Sequence, residues 1–367
     1  MKPPVPAEFH EKSGRTNMVK NVLKSAALAG AAVAALTMGA GSAMSQEITL
    51  RMHTFVPPVA NPGKTFLAPW AEKIEKDSGG RLKVQPFWAM QLGGKAPQLL
   101  DQVRDGVVDI VWTLPGFSPG RMPEVEPFEL PFVHQDALST ALALQDYQDK
   151  HLGKALAPYH PLLLHSHQGF LFQTKNPVRK LEDLKGMKIR AASRAGVWLL
   201  ESLGATGIGL PLPAIPEALS KGVIDGVTLP YEIAPAVKTP ELVNYFSSLS
   251  GSQPRLGTNV FTFLMNKDSY DKLPADLQKV IDDNSGRNIA RAAGQNWVDV
   301  EVPGRKAVEA QAKNQFYVIP DAEVARIRAA SEPVFTRWYN EVSKSGLNGP
   351  EMVKDAREMI AKYAGNS

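Results

Sequence analysis

The sequence predicts an α/β chain folded as two lobes behind a removable leader, and three observations carry that reading. Strand and helix patterns alternate in two separate stretches, a β-rich segment joins those stretches, and the carboxyl-terminal quarter is mostly helical. Alternation of this kind places helices on the faces of a largely parallel sheet.

In the first stretch, residues 48–54 alternate apolar and polar side chains, and Pro57, Pro58, Asn61, Pro62 and Gly63 then break the strand. Phe66, Trp70 and Ile74 follow at helical spacing, with Pro69 implying a kink or a helix start just before it. Residues 81–87 and 107–113 read as strands, with a helix near 98–104 between them. Five prolines between Pro115 and Pro131 exclude regular structure, residues 137–147 suit a helix, and residues 162–174 form the β-rich crossing. The second stretch predicts strands at 188–191, 207–210 and 223–228, helices at 196–203 and 215–221, and a returning strand at 259–265. Beyond Pro274 a helical pattern runs to about Ala312, too long for one ordinary helix, and Pro303-Gly304 should break or bend it. Helices at 322–344 and 351–363 complete the chain.

The leader is read from charge and hydropathy. Lys20 and Lys24 precede an apolar run from Ala26 to Leu36, which is the build of a secretory signal. That run falls well short of the roughly 20 residues a membrane-spanning helix needs. Ala43 and Ser45 fit a cleavage site before Gln46, and the polar residues ahead of Met18 suggest that translation starts at Met18. No Cys follows the apolar run to carry a lipid.

Composition excludes several function classes. Five of the 41 Lys and Arg and two of the 37 Asp and Glu fall in the leader, so the 322 residues after it carry 36 basic and 35 acidic side chains. No basic field is left to attract nucleic acid, and an anionic ligand must be met by a placed charge. The absence of Cys removes disulfides, thiolate metal sites and cysteine nucleophiles together.

Candidate sites are few. Gly116-Phe117-Ser118-Pro119-Gly120 matches a serine-hydrolase elbow in form only, because Pro119 has no N–H to offer an oxyanion and the prolines beyond it forbid the required helix. His165 and His167 stand two apart in a β-like stretch and could share a metal, or be solvent-facing or hydrogen-bonded side chains. His53 lies near a strand's carboxyl end, where open α/β sheets bind ligands, and could equally be structural. A secreted hydrolase or metal-dependent enzyme using His53, His165 and His167 is therefore the alternative from another class.

Arg190, at the end of a short strand, could clamp a carboxylate with two parallel hydrogen bonds, or could be a solvated charge; Arg194 is its rival. Phe55, Trp88, Trp112, Phe170 and Phe172 cluster at strand ends and at the crossing. They could line a pocket or fill a core.

At these residues the chain resembles the solute-binding receptors of tripartite ATP-independent periplasmic (TRAP) transporters, in their DctP-like branch. The resemblance rests on Trp70-Ala71-Glu72-Lys73-Ile74-Glu75, Ser78-Gly79-Gly80-Arg81-Leu82-Lys83-Val84 and Gln91-Leu92-Gly93-Gly94. It continues through Gly106-Val107-Val108-Asp109-Ile110, Leu130-Pro131-Phe132, Leu184-Lys185-Gly186-Met187-Lys188-Ile189-Arg190 and Gly222-Val223-Ile224-Asp225-Gly226. It covers nearly the whole chain after the leader.

The resemblance implies the two-lobed periplasmic solute-binding fold with a long helix spanning both lobes. Lobe I is expected from 46–168 plus about 257–285, and lobe II from 169–256 plus about 286–367. It implies that Arg190 holds a carboxylate, and the residues expected around that ligand are His53, Phe55, Trp88, Trp112, Phe170, Phe172, Ala192, Leu229 and Tyr231. Leu229 stands where the family often has a ligand-touching Asn, which makes the pocket more apolar; with Tyr231 and the tryptophans it hints at an aromatic or other apolar monocarboxylate. The expectation is a monomeric receptor without cofactor, metal or catalysis, exported to the periplasm and serving TRAP membrane subunits.

Overall fold

The computed structural model describes residues 1–4, 47–251 and 255–364. The expected signal and its cleavage site lie outside the described residues. From Glu47 onward the chain forms one compact unit built on two sheets.

The first sheet has the order β2-β1-β3-β10-β4, with β1 Ile48–Thr54, β2 Leu82–Phe87, β3 Ile110–Thr113, β4 Tyr159–Ser166 and β10 Val260–Asn266. β1 pairs in parallel with β2 and β3, while β10 runs antiparallel to β3 and β4. The second sheet has the order β11-β9-β5-β8-β6-β7, with β5 Leu171–Thr174, β6 Lys188–Ala191, β7 Thr206–Gly209, β8 Gly226–Leu229, β9 Tyr245–Leu249 and β11 Gln315–Ile319. β6 is parallel to both β7 and β8, as the strand–helix alternation predicts. Strands β9 and β11 were not expected: each is five residues long, and β11 sits at the sheet edge, where alternation is weak.

Helix α1 (Ala68–Asp77) continues a π-helical turn over Pro62–Leu67, and Pro69 stands where the π turn gives way to the α-helix. Helices α2 (Leu99–Arg104), α3 (Ala137–His151) and α4 (Gly153–Leu156) complete the first stretch, and α5 (Arg194–Ser202), α6 (Ile215–Ser220) and α7 (Thr239–Leu242) belong to the second. Asp136 caps α3 by accepting from the Ser139 amide at 2.7 Å, and Ser193 caps α5 through Gly196.

The long pattern after Pro274 resolves into three helices, preceded by α8 (Lys267–Asp271): α9 (Ala275–Asp283), α10 (Arg287–Asp299) and α11 (Glu301–Glu309). Pro303 cannot donate to the carbonyl of Asp299, four residues earlier, so the break falls at Val300 rather than at Pro303 itself. Helix α10 packs on α3 and β4, and α11 meets the 3-10 turn at Pro235–Val237, so this bent pair joins the two sheets' surroundings. Helices α12 (Asp321–Ser343) and α13 (Gly349–Ala364) end the described chain. Residues from about 286 onward were expected with the second lobe; α12 does pack on α5, but α10 and α13 pack along α3, beside the first sheet.

The chain passes from the first sheet to the second between β4 and β5 and returns between β9 and β10. The two crossings run side by side: the Phe170 amide donates to the Gly257 carbonyl at 2.9 Å, and Thr258 Oγ1 donates to the His167 carbonyl at 2.9 Å. Gly169, at φ +98°, has its would-be Cβ 2.7 Å from the Cβ of Arg255, so only glycine fits this approach.

Candidate ligand-binding site

Between the carboxyl ends of the two sheets lies a tight cavity with about 30 Å³ of free space, room for little more than water, at the position where strand ends of open sheets bind ligands. From the first sheet and its loops come Phe55, Trp112, Phe117 and Phe261; from the second come Arg190, Ala192 and Leu229.

The aromatic wall is ordered by stacking. Trp112 lies nearly parallel to Phe261 at 4.5 Å and to Phe55 at 5.4 Å, and Phe117 meets Phe55 edge-on at 5.1 Å. Trp112 Nε1 donates to His165 Nε2 at 2.9 Å, which fixes the ring plane from behind. Trp112 is thus both core and lining, so the two readings of it are not exclusive.

Arg190 is the charged group of this cavity. Its side chain is 1% exposed, carried on β6 with the backbone paired to β7 and β8. Nε donates to the Leu210 carbonyl at 2.8 Å, and among the described residues no carboxylate pairs with the guanidinium. Burial alone pulls its pKa down to about 9, the mark of a cation stripped of water without a compensating anion. Arg194 is occupied elsewhere: Nε and Nη2 form parallel bonds to the two oxygens of Glu126 at 2.8 and 2.7 Å.

The structure thus brings together Phe55, Trp112, Arg190, Ala192 and Leu229 of the residues expected at the ligand. His53, Trp88, Phe170, Phe172 and Tyr231 lie off the cavity wall. His53 is fully buried against α2, with Nδ1 2.7 Å from Gln102 Oε1 and Nε2 accepting from the Leu92 amide at 3.3 Å. Trp88 packs at the rim of the first sheet's core. Phe170 and Phe172 fill the second core: Phe172 lies in β5, an interior strand with both faces covered, and Phe170 just before it. Tyr231 turns away toward Phe246 and Phe316, with the Arg255 guanidinium over its ring.

His165 and His167 do not face solvent. Burial lowers the pKa of His165 to about 3, and the bond from Trp112 identifies its Nε2 as an acceptor. His167 accepts the Gly169 amide at Nδ1, 2.9 Å away, so its Nε2 carries the proton and faces Asn259 Oδ1 at 3.4 Å. Its pKa is held well below the usual value, by burial first and by His134 second. Among the described residues no group of three or more His, Asp or Glu side chains could hold a metal. Ser118 donates to the Pro97 carbonyl at 3.1 Å, which makes it a loop tie.

Sequence reasoning passed over Phe117, Phe261, Asn259 and Glu232, all of which line the cavity. Phe117 sits in the proline-rich loop, where no periodicity assigns a face. Phe261 lies on β10, whose alternation could have placed it with Trp112. Glu232 follows Pro230-Tyr231, and an acid in a loop reads as a surface charge until packing buries it.

Comparison with known proteins shows the family. Residues 53–341 match the model for bacterial extracellular solute-binding proteins, family 7. A TRAP solute-binding protein from a marine metagenome, specific for aromatic acid ligands and solved with 3-hydroxybenzoate, is 44% identical. It superposes with a TM-score of 0.85, covering 87% of this chain and 99% of its own. A TRAP solute-binding protein from Rhodoferax ferrireducens, solved with copurified benzoate, is 39% identical with a TM-score of 0.84, covering 87% of this chain and 99% of its own. The outer membrane transporter protein TsaT of Comamonas testosteroni is 29% identical over 336 residues, 90% of this chain and 96% of that protein. The chain therefore belongs to the family 7 bacterial extracellular solute-binding proteins, as a DctP-like receptor of the TRAP type.

Proposed function

We propose that this receptor captures an aromatic monocarboxylate in the periplasm, as a monomer, and hands it to TRAP membrane subunits. The observation that carries the reading is Arg190: a fully buried guanidinium with one backbone partner, set in a cavity walled by Phe55, Trp112, Phe117 and Phe261. A carboxylate supplies the missing charge through two parallel bonds, and a flat ring packs against the aromatic wall. Benzoate and 3-hydroxybenzoate in the two similar structures are ligands of this kind.

The action is capture without chemistry. Arg190 pairs with the carboxylate, the lobes close about the side-by-side crossings at 167–170 and 255–259, and the closed form docks on the membrane subunits. Lobe I comprises the first sheet and its helices, and lobe II the second sheet with α5, α6 and α12. Removal of the leader near Ser45/Gln46 releases the exported chain, and among the described residues no helix is long and apolar enough to cross a membrane.

A thermal-shift screen tests the reading. Ligand at a hundred times its Kd adds about 2.7 kcal/mol of stability, so benzoate-like acids are expected to raise the midpoint by several degrees. Stabilisation by sugars or aliphatic dicarboxylates, with none by aromatic monocarboxylates, would sink it.

A further inference from the structure

Another polar group in the cavity wall has one carboxyl oxygen without a partner. Glu232 follows β8 by three residues, lines the same cavity as Arg190, and is 5% exposed. Its Oε2 is buried without a hydrogen-bond partner among the described residues. Its backbone is held firmly: Asn61 Nδ2 donates to the Glu232 carbonyl at 2.6 Å, and the preceding Tyr231 amide donates to Glu301 Oε2 at 3.0 Å.

No ion pair links Glu232 to Arg190, so the two mark separate points on the wall. Burial, reinforced by the negative charge of Glu301 and weakly opposed by Asn61, pushes the Glu232 pKa up to about 8. At neutral pH this side chain is mostly the uncharged acid, which carries both a donor O–H and an acceptor oxygen. A buried polar atom left unpaired is costly, and such an atom in a ligand cavity is a place for a ligand group.

We propose that Glu232 receives a hydroxyl substituent on the ring of the arylcarboxylate held by Arg190, so that the receptor prefers a hydroxylated aromatic acid over the unsubstituted one. This rests on the arylcarboxylate reading above and deepens it. A phenolic hydroxyl is neutral at pH 7 and both donates and accepts, so it matches a neutral carboxyl reciprocally. A second carboxylate on the ring fits poorly, because Glu301 already places negative charge beside Glu232. A bare ring leaves Oε2 unpaired, and sites that hydrogen-bond a ligand hydroxyl discriminate strongly against analogues lacking it.

Calorimetric titration with benzoate and the three hydroxybenzoate isomers tests the assignment, on the wild type and on Glu232→Leu, with Glu232→Ala as a second variant if Leu does not fold. The wild type is expected to bind at least one isomer about tenfold or more tighter than benzoate. In the variants the ratio of hydroxybenzoate to benzoate affinity collapses to about twofold or less, as expected when the partner of the hydroxyl is removed. An unchanged preference in the variants, or a wild type that binds benzoate as tightly as every isomer, overturns this inference alone. No binding of benzoate or any isomer overturns the arylcarboxylate reading itself.

Discussion

Arg194 and Glu126 are locked in a fork, Nε to Oε1 at 2.8 Å and Nη2 to Oε2 at 2.7 Å, and Trp338 Nε1 donates to the same Oε2 at 2.7 Å. Three segments meet at this carboxylate: the proline-rich 3-10 stretch Pro123–Glu129, α5 and α12. The pairing sets the division of labour between the two nearby arginines. Arg194 is a structural cation with its anion built in, and Arg190 is left with an open guanidinium.

Removing one member of that fork is expected to damage stability and spare binding. Glu126→Ala leaves the Arg194 charge uncompensated in a largely buried setting and the Trp338 N–H without its acceptor. The expected loss is about 3 to 5 kcal/mol of unfolding free energy. Urea unfolding measures it, and calorimetry on the folded fraction should give a ligand Kd within about threefold of wild type. A large loss of affinity with little loss of stability would place Arg194 at the ligand instead.

Gly304 in α11 touches the loop that forms the cavity floor. A Cβ there would stand 2.6 Å from the Cα of Glu232 and 2.7 Å from its backbone N, and backbone cannot swing aside as a side chain can. Gly304→Ala gains about 1 kcal/mol of helix propensity and pays more in displacement of residues 231–233, with typical overpacking costs of about 1 to 3 kcal/mol. We expect a net drop in stability together with weaker ligand binding. A variant as stable as wild type with unchanged Kd would show that the loop yields freely.

The buried acids make stability depend on pH. Burial pushes Glu129 and Glu301 up to about 7 and Glu232 up to about 8, above their value in the unfolded chain. Between those values the folded state holds more protons, so stability falls as pH rises. The buried His134, His165 and His167 act oppositely. Their lowered pKa values make them lose stability only as pH falls below the unfolded value of 6.5. His53 and His160 are lowered too, so the window in which the acids dominate is about pH 7.5 to 8.5, where ligand-free protein is expected to lose stability with rising pH and Glu232→Gln to lose less. Urea midpoints across that window check it; a rise with pH would contradict the assignment.

Much of the fold was legible because its periodic elements are strongly marked: β1 and β6 begin and end where residues 48–54 and 188–191 predicted. The site was legible only where local sequence sets side-chain direction. Arg190, at the end of β6, and Phe55 and Trp112, at the ends of β1 and β3, needed only the rule that strand ends form the cleft. Glu232 and Phe117 reach the cavity through tertiary packing of irregular loops, which no period encodes. Tyr231 and Glu232 are adjacent yet face opposite ways, one into the stack with Phe246 and the other onto the cavity. His53 satisfied the same strand-end rule as Phe55 and is claimed by Gln102 instead.

Calorimetric titration of Arg190→Met with benzoate and the hydroxybenzoates, set against the wild type and paired with a thermal melt of each ligand-free protein, tests the carboxylate anchor most directly. Met fills much of the Arg volume without its charge, so the ligand-free variant is expected to be at least as stable as wild type, since an uncompensated buried cation is gone. Affinity for whichever of these acids the wild type binds is expected to fall more than about a hundredfold, the worth of two charge-assisted hydrogen bonds. A folded Arg190→Met protein that binds that acid as tightly as the wild type would contradict the account.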